Sequence, residues 1–220
     1  MSLLLKAEDM FNDLQPEQNQ EIRIPKVKPN KNLEEIVKGY KDFIKKAIDH
    51  EKASKLYNTI RIKDVSSKDI EDFSLMLGKY QQLGNFEYSG FYLSILINDS
   101  KGDEFTIHTN YLDSSINFLG YKTTKNITVN GNAGDEVGYS MNNGTITING
   151  NAGDFVGYSM EDRGIIFKGN ARDFVGYSME DGGIIVKGNA GVWVGGNMKN
   201  GTITINGNAG DEVGNDMKNG

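Results

Sequence analysis

The sequence predicts a mainly β protein, a single-stranded parallel β-helix of about five coils that follows a small α+β region. Three observations predict it: a Gly-Asn pair recurs every nineteen residues, β-branched residues alternate before each pair, and glycine is too frequent for a helix to fit inside a unit. A fixed period near twenty residues is typical of a solenoid. The pairs begin at Gly131, Gly150, Gly169, Gly188 and Gly207.

Each unit begins with one predicted strand, because two columns of apolar residues stand four and two positions before the Gly-Asn pair. Alternation with a period of two places both columns on the buried face of the strand. The first column is Ile127, Ile146, Ile165, Ile184 and Ile203, and the second is Val129, Ile148, Phe167, Val186 and Ile205. An Ala, a Val and a Met also recur after each pair, so we expect like residues to stack coil upon coil.

Two glycine columns are predicted at bends where the backbone takes a positive φ. One is the glycine of the Gly-Asn pair, and the other is Gly138 with its equivalents Gly157, Gly176, Gly195 and Gly214. The Asn of each pair predicts a ladder in which side-chain amides stack from coil to coil. Its members are Asn132, Asn151, Asn170, Asn189 and Asn208.

Glycine content divides the chain, since residues 1–120 hold 6 of the 27 glycines and residues 121–220 hold 21. We predict an extended arm or linker over 1–31, with one short helix near Leu3–Leu14, then the small α+β region over 32–120 and the β-helix over 121–220. In the α+β region, helical spacing predicts a helix from Leu33 to Ile48. A capping box of Ser66 and Asp69 predicts a second helix ending at Gly84. The runs "FYLSILIND" and "DEFTIHTN" predict a β-hairpin.

Composition excludes several functional classes. The net charge of −6 argues against a general nucleic-acid binder, which needs a basic face. The sequence contains no run of eighteen apolar residues, so it predicts no membrane span. The absence of cysteine excludes disulfides and a thiol nucleophile. We therefore expect a cytoplasmic protein without its own catalytic, cofactor-binding or metal-binding residues.

The units resemble the GXGXG repeat, which is found in the C-terminal domain of the large subunit of glutamate synthase and in the repeat-bearing subunit of formylmethanofuran dehydrogenase. The resemblance rests on "GNAGDFVGYSMEDRGIIFKGNARDFVGYSMEDGGIIVKGNAG" and covers residues 127–220. Arg172 and Val192 depart from it, replacing the usual Gly and Asp, and Arg163 shifts the bend before Gly164.

The resemblance implies a right-handed β-helix that is structural rather than catalytic. Both families keep their catalytic groups on other domains or subunits. It therefore implies a scaffold in an oxidoreductase or amidotransferase complex, of either the glutamate synthase or the formylmethanofuran dehydrogenase kind. The alternative is a β-solenoid without an enzyme partner that self-associates through its uncapped C-terminal coil, because an open β edge invites pairing.

Two aromatic columns are the candidate partner-docking residues. Their neighbours point inward, so the rings are predicted to point outward, where the N-terminal region covers them or a protein partner docks on them. The tyrosines are interpreted as structural, with a sugar-binding platform as the alternative. The candidates are Phe155, Phe174, Trp193, Tyr139, Tyr158 and Tyr177.

An acidic column invites comparison with calcium-binding β-rolls. It offers one recurring carboxylate per coil, whereas calcium takes several converging oxygens, so we expect each Asp to bond its own bend. Its members are Asp135, Asp154, Asp173 and Asp211. A carbohydrate-active enzyme is a further alternative, but the sequence indicates no particular pair of catalytic carboxylates.

Overall fold

The computed structural model describes residues 27, 28 and 30–220. The predicted arm over residues 1–31, with its short helix, lies almost entirely outside the described residues. The described chain forms helices first and strands afterwards. The helices are α1 (Lys31–Lys46), α2 (His50–Thr59), α3 (Ser67–Ser74) and α4 (Ser89–Asp99). The strands are β1 (Glu104–His108), β2 (Asn126–Asn130), β3 (Thr145–Ile148), β4 (Gly164–Phe167), β5 (Gly183–Val186) and β6 (Thr202–Ile205).

The six strands form one parallel sheet in chain order, as expected for a solenoid with one strand per coil. Successive strands pair in register at the nineteen-residue period, so that Ile146 lies beside Ile127 and Ile165 beside Ile146. Like residues therefore stack, and the predicted parallel β-solenoid is confirmed. We number a coil from the first residue of its strand, which gives five coils of nineteen residues from β2 onward.

A further coil precedes them and was missed by the sequence analysis. Strand β1 pairs in parallel with β2, with Phe105 beside Ile127, so the first coil spans residues 104–125. Its stretch "NFLGY" occupies the place of "DEVGY" in the next coil. Gly138 N–H donates to Leu119 O at 2.9 Å, as Gly157 N–H donates to Val137 O one coil later at 2.8 Å.

The predicted hairpin is wrong. Its first run forms α4, and its second run forms β1, which pairs in parallel with β2 rather than with the first run. Every residue from Ser89 to Ile97 is buried, so the helix has no polar face to reveal its period. A short apolar run of this kind is compatible with either a buried helix or a buried strand.

The other helices agree in part with the sequence. Helix α1 buries the predicted stripe, but Ile48 lies beyond its end and is exposed. The predicted capping box of Ser66 and Asp69 is present at the start of α3. That helix stops at Ser74, and a separate 3₁₀ turn follows at Leu77–Tyr80. Helix α2 was not predicted. None of the helices in the described part is long and apolar enough to cross a bilayer.

Helix α4 joins the helices to the first coil. The hydroxyl of Tyr92 donates to Ile36 O of α1 at 2.8 Å. On the opposite side, Ser94 Oγ accepts the N–H groups of Gly120 at 2.9 Å and Tyr121 at 3.1 Å. The apolar side chains of helices and coils consequently form one continuous buried core.

The glycine columns have two different physical reasons. Gly138 and its equivalents have φ between 67° and 70°, as predicted. In the Gly-Asn column only Gly131 has a positive φ, so the prediction is wrong for its four equivalents. Glycine is needed there because coils approach closely: a Cβ on Gly150 would lie 2.6 Å from Asn132 Oδ1.

The Asn and Asp columns both bond from coil to coil. The N–H of Asn151 donates to Asn132 Oδ1 at 2.8 Å, so the side chain binds the next backbone rather than the next amide. Likewise, the N–H of Asp154 donates to Asp135 Oδ1 at 2.9 Å. Asp135, Asp154 and Asp173 therefore bind the following coil and not their own bends, which corrects the predicted pattern for these three residues. Such bonds satisfy backbone N–H groups that the stacking would otherwise leave buried.

Candidate functional site

The candidate docking residues form one two-column surface on the solenoid, which we call the aromatic stripe. In the first column, the Phe155 and Phe174 rings stack with centroids 4.5 Å apart and planes 3° apart, and Trp193 continues the stack 6.2 Å from Phe174. The second column consists of tyrosines. Its members are Tyr139, Tyr158 and Tyr177.

The two columns touch each other edge to face. Phe155 contacts Tyr158 with ring centroids 6.1 Å apart, and Phe174 contacts Tyr177 with centroids 5.7 Å apart. All six side chains are half-buried. The structure therefore brings the sequence-predicted residues together into one continuous surface.

The residues of the first aromatic column have a backbone conformation that residues other than glycine rarely adopt. Phe155, Phe174 and Trp193 have φ of 54°, 60° and 59°. A residue other than glycine in this left-handed region is destabilised by about 1–2 kcal/mol, and Asn or Asp tolerates the region better. Stacking of neighbouring rings offsets part of this cost, since an aromatic pair contributes about 0.5–1.5 kcal/mol.

The first coil extends both columns toward the helices. Phe118 has φ 63° and occupies the place of Glu136, while Tyr121 contacts Tyr139 with centroids 5.4 Å apart. These two residues were missed by the sequence analysis. The similarity of "NFLGY" to "DEVGY" is the signal that would have found them.

Ring contacts from the described helices reach this end of the stripe. The His50 ring lies 5.1 Å from Phe118 and stacks against Tyr139 at 6.4 Å, and Tyr57 contacts Tyr121 at 4.8 Å. Beyond Tyr139, the ring contacts found among the described residues join stripe members only to one another. Among the described residues, the ring contacts between the helices and the stripe therefore end at Tyr139.

The ring geometry argues against a sugar-binding platform. A flat sugar stacks on an exposed ring face, but Phe155 and Phe174 each turn a face toward the other. Tyr158 and Tyr177 also stack, with planes 25° apart. The stacked rings of each column therefore cover part of one another's faces.

Several charged groups of the coils and helices take part in structural bonds. The Asp column accepts backbone N–H groups, and burial raises the pKa of Asp154. His108 Nε2 lies 3.1 Å from Glu71 Oε1, and this hydrogen bond is the main cause of the lowered pKa of Glu71. Within residues 27, 28 and 30–220, no three His, Cys, Asp or Glu side chains converge as metal ligands would. The calcium alternative gains no support.

Glu136 is the carboxylate most affected by its surroundings. Burial, and secondarily the charge of Asp135, raises the pKa of Glu136 to about 7. This value lies above the range of an unfolded-chain Glu, so the folded state favours the protonated acid. The contribution of this protonated acid to the free energy of unfolding is complete below about pH 4.3. It decreases as the pH rises through about 7 and stays low above that pH.

We predict that Glu136→Gln stabilises the fold at pH 8 and not at pH 4, because Gln stays neutral. Allowing for solvent screening of a half-buried group, we expect a gain of about 1 kcal/mol at pH 8. Urea unfolding at both pH values measures the difference. Glu212→Gln controls for the lost charge, since Glu212 is the exposed equivalent in the last coil. An equal gain for both variants would contradict the prediction.

Comparison with known proteins adds no relative. No protein-family model matches the chain, and no curated protein is significantly similar to it. The resemblance to the GXGXG repeat accordingly remains a hypothesis.

Proposed function

We propose that this chain is a non-catalytic β-solenoid scaffold whose aromatic stripe binds a protein partner. Following the resemblance of its repeats, the proposed partner is a catalytic subunit of an oxidoreductase or amidotransferase complex. The parallel solenoid supplies a rigid support, because each coil is held to the next by backbone hydrogen bonds along its length.

The proposal is supported by the part of the stripe beyond Tyr139, where the described helices make no ring contact. Phe155, Phe174 and Trp193 stand on left-handed backbone and receive no ring contact from the described helices. Gly or Asn would fit this backbone at a lower energy. Aromatic residues are enriched at the buried centres of protein interfaces, so binding a partner would account for bulky rings at these positions.

Two kinds of complex fit the repeat, and the partner's chemistry distinguishes them. A flavin- and iron–sulfur-containing subunit with a glutaminase would indicate the glutamate synthase kind. A molybdenum or tungsten enzyme subunit would indicate the formylmethanofuran dehydrogenase kind. Cofactors of either kind would belong to the partner in this proposal.

The test compares two double variants purified from the native host. Phe174→Asn/Trp193→Asn removes two half-buried rings of the stripe and suits the left-handed backbone. Ile166→Thr/Ile185→Thr is the matched control, because these outward strand positions carry Thr147 and Thr204 in neighbouring coils. Both variants should keep the thermal stability of the unmodified protein within a few degrees.

We expect the unmodified protein and the strand control to co-purify with a catalytic subunit and the stripe variant to lose it at least tenfold. Absorption spectra and metal analysis of the co-purified subunit identify its cofactor. Retention by the stripe variant would contradict a role for the stripe. Recovery of the unmodified protein without any such subunit would contradict the scaffold function.

A further inference from the structure

An Asn-Gly pair lies at the bend that leads into strand β3, and its side-chain and backbone groups are in contact. The N–H of Gly144 donates to Oδ1 of Asn143 at 2.7 Å. Because a C=O bond is about 1.23 Å long, the side-chain carbon Cγ of Asn143 lies within about 3.9 Å of that nitrogen. This upper limit is compatible with the separation of about 3–3.5 Å from which bound groups react. Asn143 is exposed, and Gly144 carries no side chain that would obstruct the approach.

A guanidinium from the next coil binds the same side-chain oxygen. Arg163 Nε donates to Oδ1 of Asn143 at 3.0 Å. The donor therefore points at the oxygen on which negative charge develops when a nucleophile attacks Cγ, as in an oxyanion hole. Other coils carry glycine at the place of Arg163, namely Gly144, Gly182 and Gly201. The arginine is thus particular to the coil that follows Asn143.

We propose that Asn143 is a self-modification site, at which the backbone nitrogen of Gly144, assisted by the guanidinium of Arg163, converts the side-chain amide into a carboxylate. The nitrogen loses its proton to hydroxide and bonds to Cγ of Asn143, which closes a succinimide ring. The Cγ–Nδ2 bond breaks, and Nδ2 takes a proton from water and leaves as ammonia. Water then opens the ring at either carbonyl and gives aspartate or isoaspartate. The net change is loss of ammonia and gain of water, without oxidation or reduction.

Other Asn-Gly pairs of the chain share the dipeptide but not this geometry. Asn206–Gly207 is the clearest comparison, because Asn206 is also exposed. The N–H of Gly207 donates to Gly188 O of the preceding coil at 3.0 Å. Its nitrogen is therefore held by neighbouring backbone and is less free to attack the Asn206 side chain.

The bend accepts the carboxylate that the reaction produces. Asp162 and Asp181 occupy the place of Asn143 in the next two coils. Each accepts the N–H of the residue that follows it, Asp162 from Arg163 at 2.6 Å and Asp181 from Gly182 at 2.7 Å. An aspartate in place of Asn143 would keep this bond and gain an ion pair with Arg163. The fold should therefore persist after the reaction.

Incubation of the full chain at pH 8, followed by peptide mass spectrometry, tests the proposal. Conversion of an amide to an acid changes the peptide mass, and fragmentation locates the residue. We expect conversion at Asn143 to be about fivefold or more faster than at Asn206, because only the first pair is prearranged for attack. In the urea-unfolded chain the two rates should agree within about twofold, since the prearrangement is lost. An unmodified Asn143, or equal rates in the folded chain, would overturn the proposal.

Arg163→Gly tests the guanidinium separately. Glycine suits the positive φ of 65° at this position, so the variant should keep its thermal stability within a few degrees. We expect the rate at Asn143 to fall about threefold or more and the rate at Asn206 to stay the same. Arg172→Gly is the matched control, because Arg172 also replaces a glycine of the neighbouring coils, and it should change neither rate. An unchanged rate at Asn143 in Arg163→Gly would overturn the proposal.

Discussion

Phe167→Ala is expected to lower the free energy of unfolding by about 3–5 kcal/mol, the usual loss for a fully buried phenylalanine. Phe167 is fully buried, and in the sheet it lies between Ile148 and Val186. Truncation leaves a cavity in the middle of the stack, where the coils on both sides are held by their own backbone bonds and cannot collapse into it. Urea unfolding followed by circular dichroism measures the loss.

The matched control is Phe174→Ala in the neighbouring stretch of the same coil. Its ring is half-buried in the stripe and contributes mainly stacking, so we expect a loss of no more than about 1.5 kcal/mol. The single tryptophan, Trp193, reports on this neighbourhood by fluorescence. Similar losses for the two variants would mean that the inward and outward faces of the coil are wrongly assigned.

Gly90→Ala is expected to destabilise the protein by about 3 kcal/mol, the upper part of the range for overpacked sites. The direction of the change distinguishes this site, because Gly→Ala inside an exposed helix normally stabilises the protein by about 0.5–1 kcal/mol. A Cβ on Gly90 would overlap the carbonyl oxygen of Asn117 and lie 2.6 Å from the backbone nitrogen of Leu119. Backbone cannot rotate away as a side chain can, so helix α4 must shift from the first coil.

Gly84→Ala supplies the control for this prediction, because nothing lies within 4 Å of the added Cβ. We expect a change within about 0.5 kcal/mol, as at most surface sites. Hydrogen exchange would locate the damage of Gly90→Ala, since the N–H groups of Gly120 and Tyr121 bond to Ser94 across the affected contact. A neutral Gly90→Ala would contradict the close packing of α4 on the coil.

Most of the solenoid could be predicted from the sequence, because the residue patterns that specify it are short and recur in every coil. Ile146, Ile165 and Ile184 recur at one period, and alternation with a period of two decides which side chains face inward. Likewise, Ser66 and Asp69 lie three residues apart and form the cap that such a spacing predicts. In each of these cases, the residues that decide the structure are close in sequence or identical from coil to coil.

The sequence predicted which residues form the candidate site. It did not predict which segments pack around them. Phe174 and Trp193 were found because they share a column, whereas the limit of the helical cover at Tyr139 depends on where His50 lies. The left-handed backbone of the column was not predicted either, since nothing in a Phe or Trp indicates a positive φ. The first feature depends on the position of the helix that contains His50, and the second on the path of the coil backbone.

By itself, the sequence determined the coil period, the inward residues and the composition of the aromatic stripe. Only the tertiary structure decided that "FYLSILIND" is a helix, that "NFLGY" belongs to a further coil, and that helix α3 lies against the first strand. The physical reason is burial by distant segments. A short apolar run can form either a buried helix or a buried strand, and the segments that pack against it decide which one forms. Those segments are far away in the sequence.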